Sequence, residues 1–435
     1  MARPDRESLD APAAPIRIVH LGLGAFHRAH EAWYTHRANA LGGQQWGISA
    51  FTGRRPDEAL KLAPQDGLYF LVTRSADGDT AELVTSISAV HDGAVHDGAV
   101  HEGVVHEGVD DAAWLACFRE PSLAILSLTI TEAGYAADST AAGRIVRGLA
   151  ARRAAGLGGI TILSCDNLAG NGAITRAMVI GAADPGLAVW ISDEVTFPST
   201  MVDRITPKTT PDDLAIVERL TGLSDASPVV AEPFSDWVIE DDFAQGCPDW
   251  AAVGARLVDD VTAYERRKLL LLNGGHSLLA YAGSILGHET VAQASSDPKC
   301  VAMLDSWWDE AAPALAFDEG ELADYRASIL QRWANPRIRH QLAQIATDGA
   351  LKLPVRIGPV IELHRGRGEL PDAAIDILAA WLVQLRRGAV SGLDTAFAAN
   401  ADPHTVIAQV TPALRDDDEL VVALTDRTTR WEELQ

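Results

Sequence analysis

The chain alternates between short continuous apolar runs and longer stretches with helical spacing, and that alternation predicts the architecture. IRIVHLGLG (16–24) reads as a buried strand ending in glycines, and AFHRAHEAWYTHRANAL (25–41) follows with helical spacing. WGISAFTG (46–53) reads as a second strand, so the chain opens as strand, glycine turn, helix, strand, the start of a dinucleotide-binding sheet. LYFLVTRS (68–75) and AELVTSISAV (81–90) flank ADGDT and predict a β-hairpin with an Asp-Gly signal. LAILSLTIT (123–131) and GITILSCDN (159–167) have core-strand length and end in polar residues, the place where open α/β sheets bind ligands.

From Tyr264 onward the texture changes to long amphipathic stretches such as HSLLAYAGSILG (276–287), VAMLDSWWDEAAPAL (301–315) and DAAIDILAAWLVQLRRG (372–388). The last ends in two arginines and a glycine, a helix stop. The pattern predicts an α/β protein with a Rossmann-type domain over 1–263 and a mainly α-helical domain over 264–435. A length of 435 residues fits more than one domain. The seam between the two is where a small-molecule site is expected. Between 89 and 111 a five-residue unit repeats, carrying His91, His96, His101 and His106. A period of five aligns ligands on neither a helix nor a strand face, so a surface loop is expected there rather than a metal site.

Composition narrows the partners. A formal charge of −24 argues against nucleic acid and anionic membrane surfaces, though not against a basic pocket for a small substrate. Cys117, Cys165, Cys247 and Cys300 lack zinc-type spacing, so reduced thiols in a cytoplasmic protein are expected and no metal is assigned. The first residues contain no apolar signal core, and no run is long enough to span a membrane.

Two stretches carry candidate chemistry. In Gly22-Leu23-Gly24-Ala25-Phe26-His27 the first two glycines of the dinucleotide fingerprint are present, and His27 replaces the third. The acid expected after the second strand is also missing, and Thr52-Gly53-Arg54-Arg55 stands there instead, where Arg54 would suit a 2′-phosphate. In RRKLLLLNGGH (266–276) a lysine precedes four leucines and an Asn-Gly-Gly-His ending. Taken alone, Lys268 is equally a snorkelling residue and His276 a satisfied core histidine. On a regular helix Asn273 and His276 lie about 140° and about 80° from Lys268, so the Gly274-Gly275 pair is expected to interrupt the helix near the site.

Together these stretches resemble the polyol-specific long-chain dehydrogenases, the mannitol dehydrogenase and fructuronate reductase family. IVHLGLGAFHRAH, LTITEAGY (128–135), SCDNLAGNG (164–172), FPSTMVDRITP (197–207), WVIEDDF (237–243) and the Lys268-x4-Asn273-x2-His276 spacing are similar to that family in order along most of the chain. The resemblance implies zinc-independent hydride transfer between NAD and a sugar alcohol or aldonate, with NADP the other possibility. It implies Lys268 as general acid/base, Asn167 and Asn273 as polarisers of the reacting oxygen, and His276 as a positioning group. Asp203 and Lys352 would contact substrate, Glu132 and Glu265 would flank the proton path, and Gly22, Gly24, Ala25, Phe26 and Thr131 would bind cofactor. An apolar setting fits a lysine that must shed a proton near working pH, and amide NH2 groups suit a developing alkoxide.

QIATDGALKLPVR (344–356) bears on the substrate: where the mannitol branch is implied to carry arginine eight residues before the lysine, this chain has Gln344. The pattern is more similar to the fructuronate and mannonate branch, and Lys352 or Arg356 could pair with an aldonate carboxylate. A sugar-acid oxidoreductase is therefore expected, acting as a monomer or small homo-oligomer. A neutral polyol dehydrogenase of mannitol or arabinitol type is the alternative. Outside enzymes, it is a non-catalytic NAD-binding sensor, against which the intact Lys-Asn-His set argues.

Overall fold

A computed structural model describes residues 1–53, 55–92, 111–392 and 394–434. The chain divides into two compact units, Met1–Thr262 and Ala263–Gln435. Among the described residues of the first unit there are eleven strands. They are β1 (Ile16–Leu21), β2 (Gly47–Phe51), β3 (Tyr69–Ser75), β4 (Gly78–Val84), β5 (Ile87–His91) and β6 (Ile125–Leu128), then β7 (Thr161–Ser164), β8 (Thr200–Asp203), β9 (Val229–Ala231), β10 (Asp236–Glu240) and β11 (Arg256–Val258).

β5-β2-β1-β6-β7 form one all-parallel sheet, with Ile18 opposite Ile48 on one side and Ile125 on the other. Its strands are mostly apolar on both faces, with single polar positions such as His20 and Ser127, because both faces are covered. Ile18, Ile48, Ala50 and Ile125 pack with Trp33, Trp237 and Trp250, while Val19, Leu21, Phe51 and Leu126 pack with Trp114, Phe118 and Ile145. The strand order reverses between β1 and β6, so their carboxyl ends flank the switch point at which such sheets bind ligands. β4-β3-β9 and β11-β10-β8 make two smaller sheets.

Two expectations change here. The run 81–90 is not one hairpin arm: β4 pairs antiparallel with β3, but the chain then bends and β5 joins β2 in the parallel sheet. The helix expected over 25–41 breaks at His30, giving Ala25–Ala29 and Glu31–Ala40. The repeat begins inside β5, where the His91 ring stacks on Phe51 at 4.4 Å; its remaining histidines lie outside the described residues.

The second unit is helical. Its core gathers Trp307 and Trp308 from Pro298–Ala311, Trp381 from Asp372–Arg386 and Leu424 from Asp418–Glu433. Asp372–Arg386 is followed by Gly388 at φ +62°, the left-handed stop its sequence predicts. Among the described residues no helix is long and apolar enough to cross a membrane.

Candidate active site

At the switch point of the first unit, Gly22 takes φ +111°, and a Cβ there would lie 2.1 Å from the Thr129 carbonyl oxygen. Only glycine fits. Gly24 is different: it is extended, its nearest neighbour to an added Cβ is 3.5 Å away, and Ala25 and Phe26 start the short helix behind it. The turn is held from below by a chain of hydrogen bonds. Thr129 Oγ1 donates to the Gly22 carbonyl at 2.7 Å and lies 3.1 Å from His20 Nε2. His20 Nδ1 lies 2.8 Å from Ser127 Oγ, which donates to Glu31 at 2.7 Å. His27, standing where the third fingerprint glycine is absent, stacks on His20 at 3.3 Å and sits 3.0 Å from Glu31. Burial and the neighbouring His20 push His27 down to about 4. Two packed imidazoles thus occupy the space that a glycine usually leaves to the helix backbone.

The end of β2 also has an unexpected neighbour. Because β5 pairs with β2, Asp92 follows the strand beside Thr52, and their side-chain oxygens are 3.5 Å apart. A carboxylate therefore stands next to the strand end where sequence alone showed none. Arg54 lies outside the described residues.

The β6 and β7 ends are fastened to each other. Asp166 accepts from the Ile130 N–H at 2.8 Å, the Thr131 N–H at 3.3 Å and the Tyr135 hydroxyl at 2.7 Å. That clamp holds Thr131 at φ +65°, a left-handed conformation unusual for a β-branched residue. Buried Asn171 donates to the Thr200 carbonyl at 2.9 Å and accepts from its N–H at 2.9 Å, tying the loop after β7 to β8. Asn167 is exposed on that loop, Glu132 is exposed at the turn after β6, and Asp203 is buried at the end of β8.

In the second unit the spacing of Lys268, Asn273 and His276 is accommodated by a change of helix type. Residues Lys268–Asn273 form a π-turn between the α-helical Thr262–Arg267 and Gly274–Leu278. With i→i+5 bonding, Asn273 stacks above Lys268, and His276 follows three residues later on the same α-helical face. The glycines do not interrupt the helix. A Cβ on Gly274 would lie 2.8 Å from Trp307, and one on Gly275 2.9 Å from Trp333, so they admit indoles against the backbone. Trp307 Nε1 donates to the Leu270 carbonyl and Trp308 Nε1 to the Leu271 carbonyl, both at 3.0 Å. These two donors satisfy carbonyls displaced by the widened turn.

Lys268 and His276 are buried, while Asn273 and Glu265 are half-buried. His276 is held well below the usual imidazole range by burial and then by His340, Arg332, Arg356 and Lys268. Arg356 Nη1 donates to the Asn273 carbonyl at 3.4 Å and to Ser277 Oγ at 3.2 Å, which fixes it beside the Lys268–His276 stretch. Lys352 is arranged otherwise. Its Nζ donates to the carbonyls of Thr347 at 2.6 Å and Ile345 at 3.3 Å and to Thr347 Oγ1 at 3.3 Å, closing the end of Leu342–Ile345. Gln344 is exposed. Sequence reasoning passed over Asp92, Trp333 and His340; the β2–β5 pairing and the ring packing on Gly275 are tertiary facts without a local motif.

Among the described residues two groups place metal-capable side chains together, His20–His27–Glu31 and His288–Asp297–Cys300. In the first the hydrogen bonds above already engage His20 and Glu31. In the second Asp297 pairs with His288 at 2.9 Å and caps its helix through the Lys299 N–H.

A parallel sheet with a glycine turn at its switch point, followed by a helical unit carrying a buried lysine on a π-turn, defines a Rossmann-type dehydrogenase architecture. Residues 16–252 match the mannitol dehydrogenase Rossmann domain and residues 260–434 the mannitol dehydrogenase C-terminal domain. The chain belongs to the mannitol dehydrogenase family of oxidoreductases. It is 38% identical over 398 residues to D-mannonate oxidoreductase of Escherichia coli, covering 83% of this chain and 78% of the relative. A D-sorbitol dehydrogenase structure aligns with TM-score 0.84 and 29% identity, covering 96% of this chain and 92% of the other. Mannitol 2-dehydrogenase of Pseudomonas fluorescens, in ternary complex with NAD and D-mannitol, aligns with TM-score 0.75 and 32% identity, covering 97% and 92%.

Proposed function

We propose that this protein is an NAD-dependent oxidoreductase interconverting a sugar-acid alcohol and its keto form, of the D-mannonate/D-fructuronate type. The observation that carries the substrate class is the cationic setting of His276, where Arg332, Arg356 and Lys268 all act on one buried imidazole within a chain of net charge −24. Such a setting favours a substrate carboxylate, which mannitol lacks. Arg356 suits that carboxylate better than Lys352, whose ammonium already has three acceptors.

The turn fits a dinucleotide. Gly22 permits the tight bend, and the open side of Gly24 leaves backbone N–H groups approachable by a pyrophosphate. NAD supplies the hydride acceptor when bound. Asp92 beside Thr52 supports NAD over NADP, because a carboxylate accepts from a ribose hydroxyl and repels a 2′-phosphate. Lys268 removes the hydroxyl proton of the alcohol, and its four following leucines exclude water from the transfer. The amide of Asn273, stacked on the lysine by the π-turn, donates to the developing alkoxide, and Asn167 has the same assignment. His276 orients the substrate, Asp203 receives its hydroxyls, and Glu265 and Glu132 serve the proton path.

The deciding experiment compares kcat/KM for D-mannonate, D-altronate, D-mannitol and D-arabinitol with NAD and NADP. D-mannonate with NAD should be highest. A clearly higher value for D-mannitol would overturn the sugar-acid reading in favour of a neutral polyol dehydrogenase.

A further inference from the structure

Three aromatic rings meet at the catalytic stretch of the second unit. The His276 ring lies 4.8 Å from Trp333 and 5.1 Å from His340. Each carries a buried ring nitrogen with no hydrogen-bond partner among the described residues: His276 Nε2, Trp333 Nε1 and His340 Nδ1. Buried polar groups are ordinarily paired, and leaving one unpaired forfeits its hydration without return. Three such atoms on touching rings point to a ligand that completes them.

The neighbouring tryptophans sharpen the contrast. Trp307 and Trp308 donate to the Leu270 and Leu271 carbonyls, and their indole N–H groups are thereby explained. Trp333 lies near-parallel to Trp308 at 6.3 Å and presses on Gly275, yet its own N–H has no such acceptor. Trp333 closes the helix Glu319–Trp333, and His340 lies beyond the Asn335-Pro336 turn that follows. One segment thus brings both rings to His276. The charge of Arg332 acts on both His276 and His340.

Resting on the sugar-acid reading above, we propose that Trp333 and His340 form the subsite for the carboxylate-bearing end of the substrate. The indole N–H and an imidazole N–H donate to the carboxylate oxygens, while Arg332 and Arg356 supply the positive field. Neutral directional donors fix the orientation of the acid, and the surrounding guanidiniums favour its charge. This makes Trp333 and His340 specificity-determining residues, separate from the proton-transfer lysine.

The test uses Trp333→Phe, which removes the N–H and keeps an aromatic ring, with His340→Phe and His340→Asn. Steady-state constants are measured for D-mannonate and D-mannitol, with NADH binding and thermal midpoint as fold controls. Trp333→Phe and His340→Phe should each raise KM for D-mannonate roughly tenfold to a hundredfold, with kcat within about threefold and NADH binding unchanged. KM for D-mannitol should move less than about threefold, and His340→Asn, which retains an N–H donor, should recover most of the loss. If Trp333→Phe fails to fold, the His340 pair carries the same comparison. Unchanged KM for D-mannonate, or equal increases for both substrates, would overturn the subsite while the wild-type preference for D-mannonate leaves the sugar-acid reading standing. A wild-type preference for D-mannitol strikes that reading itself, and the carboxylate subsite with it.

Discussion

Replacing Gly274 with alanine should destabilise the protein although it improves helix propensity. In an ordinary helix interior the exchange gains about 0.5–1 kcal/mol, since glycine loses more backbone freedom on folding. At position 274 the new Cβ would lie 2.8 Å from both Cζ2 and Nε1 of Trp307. Trp307 is fully buried, so its indole has no free space to retreat into. Pushing it away also lengthens its 3.0 Å hydrogen bond to the Leu270 carbonyl. Overpacking costs about 1–3 kcal/mol, and a weakened buried hydrogen bond about 1–3 kcal/mol. After the propensity gain, a net loss of roughly 1–5 kcal/mol remains. Urea unfolding followed by circular dichroism measures it. Gly143→Ala is the control, because its Cβ meets nothing closer than Arg147 Nη1 at 3.8 Å inside the helix Thr140–Ala154, and it should gain stability. A Gly274→Ala protein as stable as the parent would refute the account of why this glycine is there.

Other outcomes follow from the same geometry. Lys268→Ala should lower kcat by roughly 10²–10⁴ while NADH affinity, read by fluorescence titration, changes little; near-normal turnover would remove the lysine from proton transfer. Asp92→Ala should raise kcat/KM with NADP relative to NAD by roughly tenfold or more, by loss of a carboxylate next to the 2′ position; an unchanged ratio would free Asp92 of that role. Buried His27 and His30 are pushed down to about 4 and about 3, chiefly by desolvation. The unfolded chain binds those protons near pH ~6.5, so their contribution is complete above that and is lost as pH falls through about 4. For His27 that amounts to about 3 kcal/mol. Urea midpoints at pH 7.5 and 4.5 should differ accordingly, less so in His27→Gln; equal slopes for parent and variant would contradict it.

The sheet was legible because parallel strands covered on both faces leave largely apolar runs, and 16–24, 123–131 and 159–167 each contain one strand. The run 81–90 misled because Thr85 and Ser86 separate two strands that belong to different sheets, and a two-sheet crossover leaves no mark on apolar periodicity. Lys268, Asn273 and His276 were visible as residue types, but their shared face was not. A regular helix separates them; the π-turn aligns them, and it depends on Trp307 and Trp308, more than 30 residues away in sequence. Lys352 reads as a substrate ligand from its motif, while its hydrogen bonds run to Ile345 and Thr347, just before its own helix Gly349–Arg356, a local contact the motif does not reveal. Asp92 escaped notice because it becomes a strand-end acid only once β5 lies beside β2.

The π-turn at Lys268–Asn273 has an evolutionary corollary. An i→i+5 loop encloses one residue more than an i→i+4 loop, so the segment is an α-helix carrying a single extra residue. Removing one leucine from Leu269–Leu272 would restore a regular helix and set the lysine, asparagine and histidine at i, i+4 and i+7, within about 60° of one another on one face. A one-codon deletion here is therefore absorbed by the return to an α-helix, whereas in an ordinary helix interior it turns everything beyond it by about 100°. The wide turn makes this a stretch of the helix where a lost residue preserves the alignment it would elsewhere destroy.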